Sequence, residues 1–241
     1  MKFWLYSHQT KTVKESDNIL SLLSLGNHEV ISVVGGGGKT HTVFEISHEL
    51  VKQGKKVILC TTTAMMFPEE PVYTGNNIEE IKSMFKNSLV IVGTRIGPKK
   101  MGPPDSSIYD QLDSICDYLV IEADGSRQLP LKFPRSHEPV LHPRSTLVIG
   151  LAGIDSFGAK LEDVCHKPPT AVELLHKTNE DIIDEKDIAF ILESEDGQMK
   201  NVKCRYIAII NKVDDDTRYN NAILVAQNLK NHDCIFSTYD L

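Results

Sequence analysis

Four consecutive glycines followed by lysine and threonine, Gly35-Gly36-Gly37-Gly38-Lys39-Thr40, constrain this chain more than any other feature. The apolar run Val30 to Val34 precedes them and reads as a buried strand. From Lys39 to Gln53 the apolar residues Val43, Ile46, Leu50 and Val51 fall along one helical face, and Gly54 is placed to end that helix. Strand, glycine turn and helix in that order aim unpaired main-chain amides at one point, with the positive end of the helix dipole behind them. Glycine lets the backbone approach a ligand closely, lysine adds an ammonium for the β- and γ-phosphates, and the Thr40 hydroxyl is of the type that ligates Mg2+. The expectation is a phosphate cradle, or P-loop, running from Gly35 to Thr40 and on to the amide of His41. The usual spacing G-x-x-x-x-G-K-[ST] would put glycine at position 33, where Val33 stands, so the loop is a shortened form. It works only if its amides are free.

The rest of the chain alternates short apolar runs with helical patterns, as a parallel sheet with crossover helices does. Lys56 to Cys60, Leu89 to Val92, Tyr118 to Ile121, Leu147 to Leu151, Tyr206 to Ile210 and Cys234 to Phe236 read as further strands. Asn77 to Phe85 and Arg218 to Lys230 read as helices, and Pro168-Pro169 opens another over Val172 to Leu175. Gly93 to Asp105 reads as a flexible excursion, and Gln128 to Arg144 as a long loop. The expected fold is a single three-layer α/β/α domain over residues 1–241, P-loop NTPase-like, with a mostly parallel sheet. Residues 1–28 stand apart as an N-terminal extension, and 126–145 as a basic loop.

Three strand ends carry further chemistry. Tyr118 to Gly125 is an apolar strand ending in Glu122 and Asp124, the form in which a strand delivers an acid to Mg2+ or to an attacking water. The alternation of side chains points both carboxylates the same way, and their roles cannot be divided by spacing alone. Thr61 to Thr63 end the strand Lys56 to Cys60, at the carboxyl side where ligands of parallel sheets sit, and Thr62 joins Thr40, Glu122 and Asp124 as a candidate metal group. Lys39, Glu122 and Asp124 are the candidate catalytic residues. Asn211-Lys212-Val213-Asp214 after the strand Tyr206 to Ile210 has the N-K-x-D form that reads guanine. A carboxylate there accepts from N1–H and the 2-amino group of guanine, a donor pair that adenine lacks. GTP is therefore expected ahead of ATP.

The formal net charge of −7 argues against a nucleic-acid partner. Ser126 to Arg144 nevertheless gathers Arg127, Lys132, Arg135, His137, His142 and Arg144, a pattern that fits an anionic second ligand or a client protein. The five cysteines are scattered, form no C-x-x-C, and read as buried thiols of a reducing compartment, with a zinc site as the lesser alternative. MKFWLYSHQTK lacks the apolar core of a signal peptide and no stretch approaches the ~18 apolar residues of a membrane span, so a cytoplasmic protein without a membrane partner is expected.

VISVVGGGGKT, KVILCTTT, VIEADGSRQLPLKFPRSHEPV, LVIGLAGIDSFGAKL and the later CHKP together resemble the YqeC family, over roughly Val30 to Asp214. Members of that family are described as accessory proteins for selenium-dependent molybdenum hydroxylases. The resemblance implies a cytoplasmic P-loop protein acting in the maturation of a molybdenum- or selenium-containing cofactor. Gly35 to Thr40 match the family's phosphate loop, and Glu122, Asp124, Lys132, His137 and Glu138 match its central run. Three functions compete on these grounds. The first is an Mg2+-dependent hydrolase of GTP serving a molybdopterin-type cofactor or a molybdenum hydroxylase client. The second is a small-molecule kinase or ATP-dependent ligase. The third is a nucleotide-binding interaction module without turnover.

Overall fold

The computed structural model describes residues 1–86, 89–166 and 168–239. Lys167, in the quoted CHKP run, lies outside the described residues. Ten strands form the central sheet: β1 (Phe3–Tyr6), β2 (Val13–Ser16), β3 (Glu29–Gly35), β4 (Val57–Thr61), β5 (Val72–Tyr73), β6 (Val90–Val92), β7 (Tyr118–Glu122), β8 (Leu147–Gly153), β9 (Arg205–Asn211) and β10 (Cys234–Ser237). Their spatial order is β2-β1-β10-β9-β8-β3-β7-β4-β6-β5. From β10 to β5 every neighbouring pair is parallel, and β1 and β2 add an antiparallel edge.

The four helices that matter to the site are α1 (Lys39–Lys52), α2 (Ile78–Met84), α3 (Glu185–Glu193) and α4 (Asp216–Asn228). Strands β3, β4, β7 and β8 are buried along their whole length. That is why they appear in the sequence as unbroken apolar runs: a parallel strand covered on both faces needs apolar side chains in both directions. On β3, Ile31 and Val33 pack with Val43, Ile46 and Leu50 of α1. Val30 and Val34 point the other way, into a core with Ile81 of α2, Ile108 and Leu112. Farther along that face, Ala152, Ala208 and Ile210 pack against α3 and α4 through Ile188, Ile191, Leu192, Ala222 and Val225. The result is the expected three-layer α/β/α fold. Helix α1 ends as its sequence requires: Gly54 takes φ +76° and donates to Val51 O while Lys55 donates to Leu50 O, the paired bonds of a Schellman cap.

Three segments differ from the sequence reading. The stretch set aside as an N-terminal extension supplies β1 and β2, and β1 runs antiparallel to β10 in the register Phe3↔Ser237. The supposed excursion after Gly93 is a hairpin of Thr94–Gly97 and Lys100–Gly102, joined by Met65–Met66 and pinned by the buried Met101. Its glycines and prolines hid a short bulged ladder. Helix α3 passed unread although Asp184 and Asp187 form a capping box at its start. All five cysteines are free, and four are buried. Burial pushes the Cys116 and Cys165 thiols up to about 12, which keeps them unreactive.

Candidate functional site

Parallel pairing brings Gly35, Thr61, Glu122, Gly153, Asn211 and Ser237 to one edge of the sheet. The register matches Glu122 with Thr61, Leu151 with Gly35, Gly153 with Asn211, and Asn211 with Ser237. The turn Gly35–Gly38 and the start of α1 lie across that edge. Gly37 sits at φ +80°, and a Cβ there would stand 2.2 Å from Gly153 N; Gly38 sits at φ +123°, with Asn211 Nδ2 2.4 Å from where its Cβ would be. Only glycine fits either position.

The amides of the turn divide into two groups. Gly35 N donates to Asp124 Oδ2 at 3.0 Å, Gly36 N to Leu151 O at 2.9 Å, and Gly37 N to Leu129 O at 3.0 Å. These three, expected to face phosphate, are engaged inside the protein because the neighbouring strand β8 and the segment Leu129-Pro130 come close enough to claim them. The next amides, of Gly38, Lys39, Thr40 and His41, have no acceptor among the described residues, and Gly38 as N-cap brings no side chain to them. The free cradle is thus the start of α1, shifted from Gly35–Gly37 to Gly38–His41.

Lys39 is 4% exposed. Its ammonium folds back, donating to Gly35 O at 2.6 Å and standing 3.2 Å from Asp124 Oδ1. A buried ammonium without an anion would be prohibitively costly, and these contacts supply its partners. Asp124 also pairs with Lys132 at 3.1 Å, and Lys132 with Glu138 at 2.9 Å. Lys132 is wholly buried, in the short strand Leu131–Lys132 that pairs with Cys165–His166. The supposed surface cation is therefore part of a sealed charge chain, Glu138–Lys132–Asp124–Lys39.

Glu122 is placed differently. The Thr40 hydroxyl donates to its Oε2 at 2.7 Å. Burial raises the carboxyl above its ordinary range, more than the Lys39 charge and the Thr40 bond lower it. Thr61 holds the strand end by donating to Glu122 O at 2.9 Å, and Thr62 N donates to the same oxygen at 3.0 Å. The hydroxyls of Thr62 and Thr63 are buried without a partner among the described residues. The Thr40 hydroxyl beside the Glu122 carboxylate is a hard oxygen pair, of the kind that suits Mg2+ taking its other ligands from phosphate and water. Of the candidate metal residues, Thr40 and Glu122 are in contact, Thr62 stands at the neighbouring strand end, and Asp124 has Gly35 N and two lysines on its oxygens.

The N-K-x-D residues also act inward. Asn211 is fully buried: its Nδ2 donates to Gly37 O at 2.9 Å, and its Oδ1 accepts from Ser237 at 2.8 Å. Lys212 pairs with Asp155 at 2.6 Å. Asp214 accepts from Arg218 Nη1 at 2.8 Å and from Tyr239 N at 2.7 Å. Both ends of the asparagine amide and both carboxylate oxygens thus have partners, and the motif straps the P-loop to β9 and β10. The basic loop is similarly committed. Arg144 pairs with Asp113 at 2.6 Å, Lys200 donates to Arg135 O at 2.6 Å, and His142 is buried against Tyr109. Arg127, Ser136 and His137 are left facing outward.

Sequence reading missed Leu129, Asp155 and Tyr239. A backbone acceptor leaves no signal in residue type, and nothing around Tyr239 at the chain's end marks it out. The start of α1 opens into a shallow cavity of about 620 Å3 lined by Thr40, His41, Phe44, His48, Pro68 and Tyr239, with Glu69 and Glu70 at its rim.

A family model described as YqeC protein matches residues 31–169. The "Uncharacterized protein YqeC" of Escherichia coli (strain K12) is 30% identical over 217 residues, covering 85% of this chain and 84% of that protein. No helix among the described residues is long and apolar enough to cross a membrane.

Proposed function

The chain belongs to the YqeC family, and from the geometry at the start of α1 we propose that it binds an Mg2+–nucleoside triphosphate there and hydrolyses it. One observation carries the proposal: four unpaired amides, Gly38 to His41, open beside the Lys39 ammonium and the Thr40–Glu122 pair at the carboxyl edge of a parallel sheet. Polyphosphate is the ligand that satisfies all of these groups at once. On binding, Lys39 exchanges Gly35 O for a phosphate oxygen, and Asp124 remains its counter-ion. Thr40, Glu122 and Thr62 would hold Mg2+, which neutralises charge on the transferring phosphoryl group. Glu122, reaching that Mg2+ through a bound water, would take up a proton from an attacking water.

Both GTP and ATP suit this site. The N-K-x-D spacing argues for GTP, whereas the occupied oxygens of Asp214 argue for a site that accepts either. The family resemblance supports an accessory role in maturation of a selenium-dependent molybdenum hydroxylase, with a molybdopterin-type cofactor or the hydroxylase itself as client. Arg127, His137 and the Asp113-paired Arg144 are exposed residues of the basic loop that such a partner could meet.

Thermal unfolding with Mg·GTP, Mg·ATP and Mg·GDP tests the reading. A triphosphate at about 100 times its Kd adds about 2.7 kcal/mol. For a chain of this size that moves Tm by roughly 5–10 °C. Absence of a shift with every triphosphate would remove the proposal. Phosphate release with and without a molybdopterin-type cofactor then separates a client-driven hydrolase from a module that only binds.

A further inference from the structure

The cavity at the start of α1 has walls of a particular kind. Thr40, Phe44 and His48 follow one another at intervals of four, so they share one face of the helix. Tyr239 closes the side nearest the P-loop. Its ring centroid lies 4.9 Å from that of His41 and 5.9 Å from Lys212 Nζ, and its ring atoms stand 3.3 Å from where a Cβ on Gly38 would be. Its amide donates to Asp214. One ring therefore touches the glycine turn, the first turn of α1 and the N-K-x-D lysine, while its own position is set by the N-K-x-D carboxylate. It is also 37% exposed and open to the cavity.

We propose that this cavity takes the nucleobase of the triphosphate, stacked on the ring of Tyr239, and that Asp214 serves it by holding Tyr239 in place rather than by reading the base edge. The inference rests on the phosphate site proposed above. A triphosphate seated on the amides of Gly38 to His41 has this cavity as its neighbour, through Thr40 and His41. The volume falls within the range of small-molecule sites, and aromatic walls give a planar base what it needs. Stacking on a ring accepts any π-face, so adenine and guanine nucleotides would be held with similar strength, as the two occupied oxygens of Asp214 also require.

The test compares Mg·ATP, Mg·GTP and Mg·tripolyphosphate on the full chain by calorimetry, in the native protein and in Tyr239→Ala and Tyr239→Phe. Tripolyphosphate engages the P-loop alone, so the ratio of affinities isolates the base. Both nucleotides are expected to bind native protein about tenfold or more tightly than tripolyphosphate. In Tyr239→Ala that advantage should vanish with tripolyphosphate affinity unchanged, which also shows that the variant is folded. Tyr239→Phe should keep it. An undiminished advantage in Tyr239→Ala, or none in the native protein, overturns the base site and leaves the phosphate site standing. Failure of all three ligands on native protein removes the phosphate site, and the base site with it.

Discussion

Replacing Lys132 by methionine puts the sealed charge chain to a direct test. The ammonium is wholly buried, 3.1 Å from Asp124 and 2.9 Å from Glu138. Methionine fills much of the same space but leaves both carboxylates short of a cation. Asp124 keeps Lys39 and the Gly35 amide, whereas Glu138 keeps only the Arg135 amide at 3.1 Å and a guanidinium 4.0 Å away. Breaking one side of a buried pair costs about 3–5 kcal/mol, against a total stability of roughly 5–15 kcal/mol. Urea unfolding should show that loss as a lower midpoint with an unchanged slope. The pH dependence fixes the cause. In the native protein burial works to raise the Glu138 carboxyl, but the Lys132 ammonium, the Arg135 amide and the Arg135 charge together hold it below the usual range. That stability is present above the unfolded carboxylate pKa and is lost as pH falls through the folded value. Without Lys132, only the Arg135 amide and charge oppose burial and the folded value rises, so the stability that the variant loses is largest at neutral pH and shrinks as pH falls. The gap between variant and native protein should therefore narrow from pH 7.5 to pH 5, and adding Glu138→Gln should narrow it at pH 7.5. A loss below about 1 kcal/mol, or a gap that ignores pH, would refute the chain as described.

Three further substitutions separate the roles around the P-loop. Lys39→Ala should abolish tight triphosphate binding by calorimetry, and retained affinity would mean that the ammonium never leaves Gly35 O. Glu122→Gln should keep triphosphate binding while slowing phosphate release by about 100-fold or more, and full turnover in that variant would move proton uptake to another group. Asp214→Asn should weaken ATP and GTP alike by loosening Tyr239. A selective gain of xanthosine triphosphate, measured by competition, would instead restore Asp214 as a reader of guanine.

How far the sequence exposes this arrangement depends on what each residue must satisfy. Strands β3, β4 and β7 are legible because double-sided burial forces unbroken apolar runs, and α1 because one buried face imposes its period. Gly37, Lys39, Thr40 and Glu122 are legible because backbone dihedral, charge and hydroxyl chemistry leave few substitutes. Lys132 is not. A lysine among prolines and arginines looks solvated, and only the third dimension brings Asp124 and Glu138 onto it. Strand β1 escapes notice for a related reason: its partner β10 stands at the far end of the chain, and local periodicity carries no trace of that pairing.

The N-K-x-D residues show why a spacing and a function can part company. The spacing predicts that the four residues follow a strand, and the structure ends β9 at Asn211 and sets that side chain against the glycine turn. What they do depends on which acceptors and donors remain. Asn211 spends its amide on Gly37 O and Ser237, both fixed by parallel register, so its contribution is to hold the turn in the one shape that leaves the α1 amides open. Asp214 spends its carboxylate on Arg218 one turn into α4 and on the Tyr239 backbone. Reading guanine would require it to surrender two charge-assisted bonds to gain two, a near-even exchange that leaves little selectivity. Stacking on Tyr239 needs no such exchange. On the reading proposed here the same four residues would serve a nucleotide more economically by building its site than by touching its base.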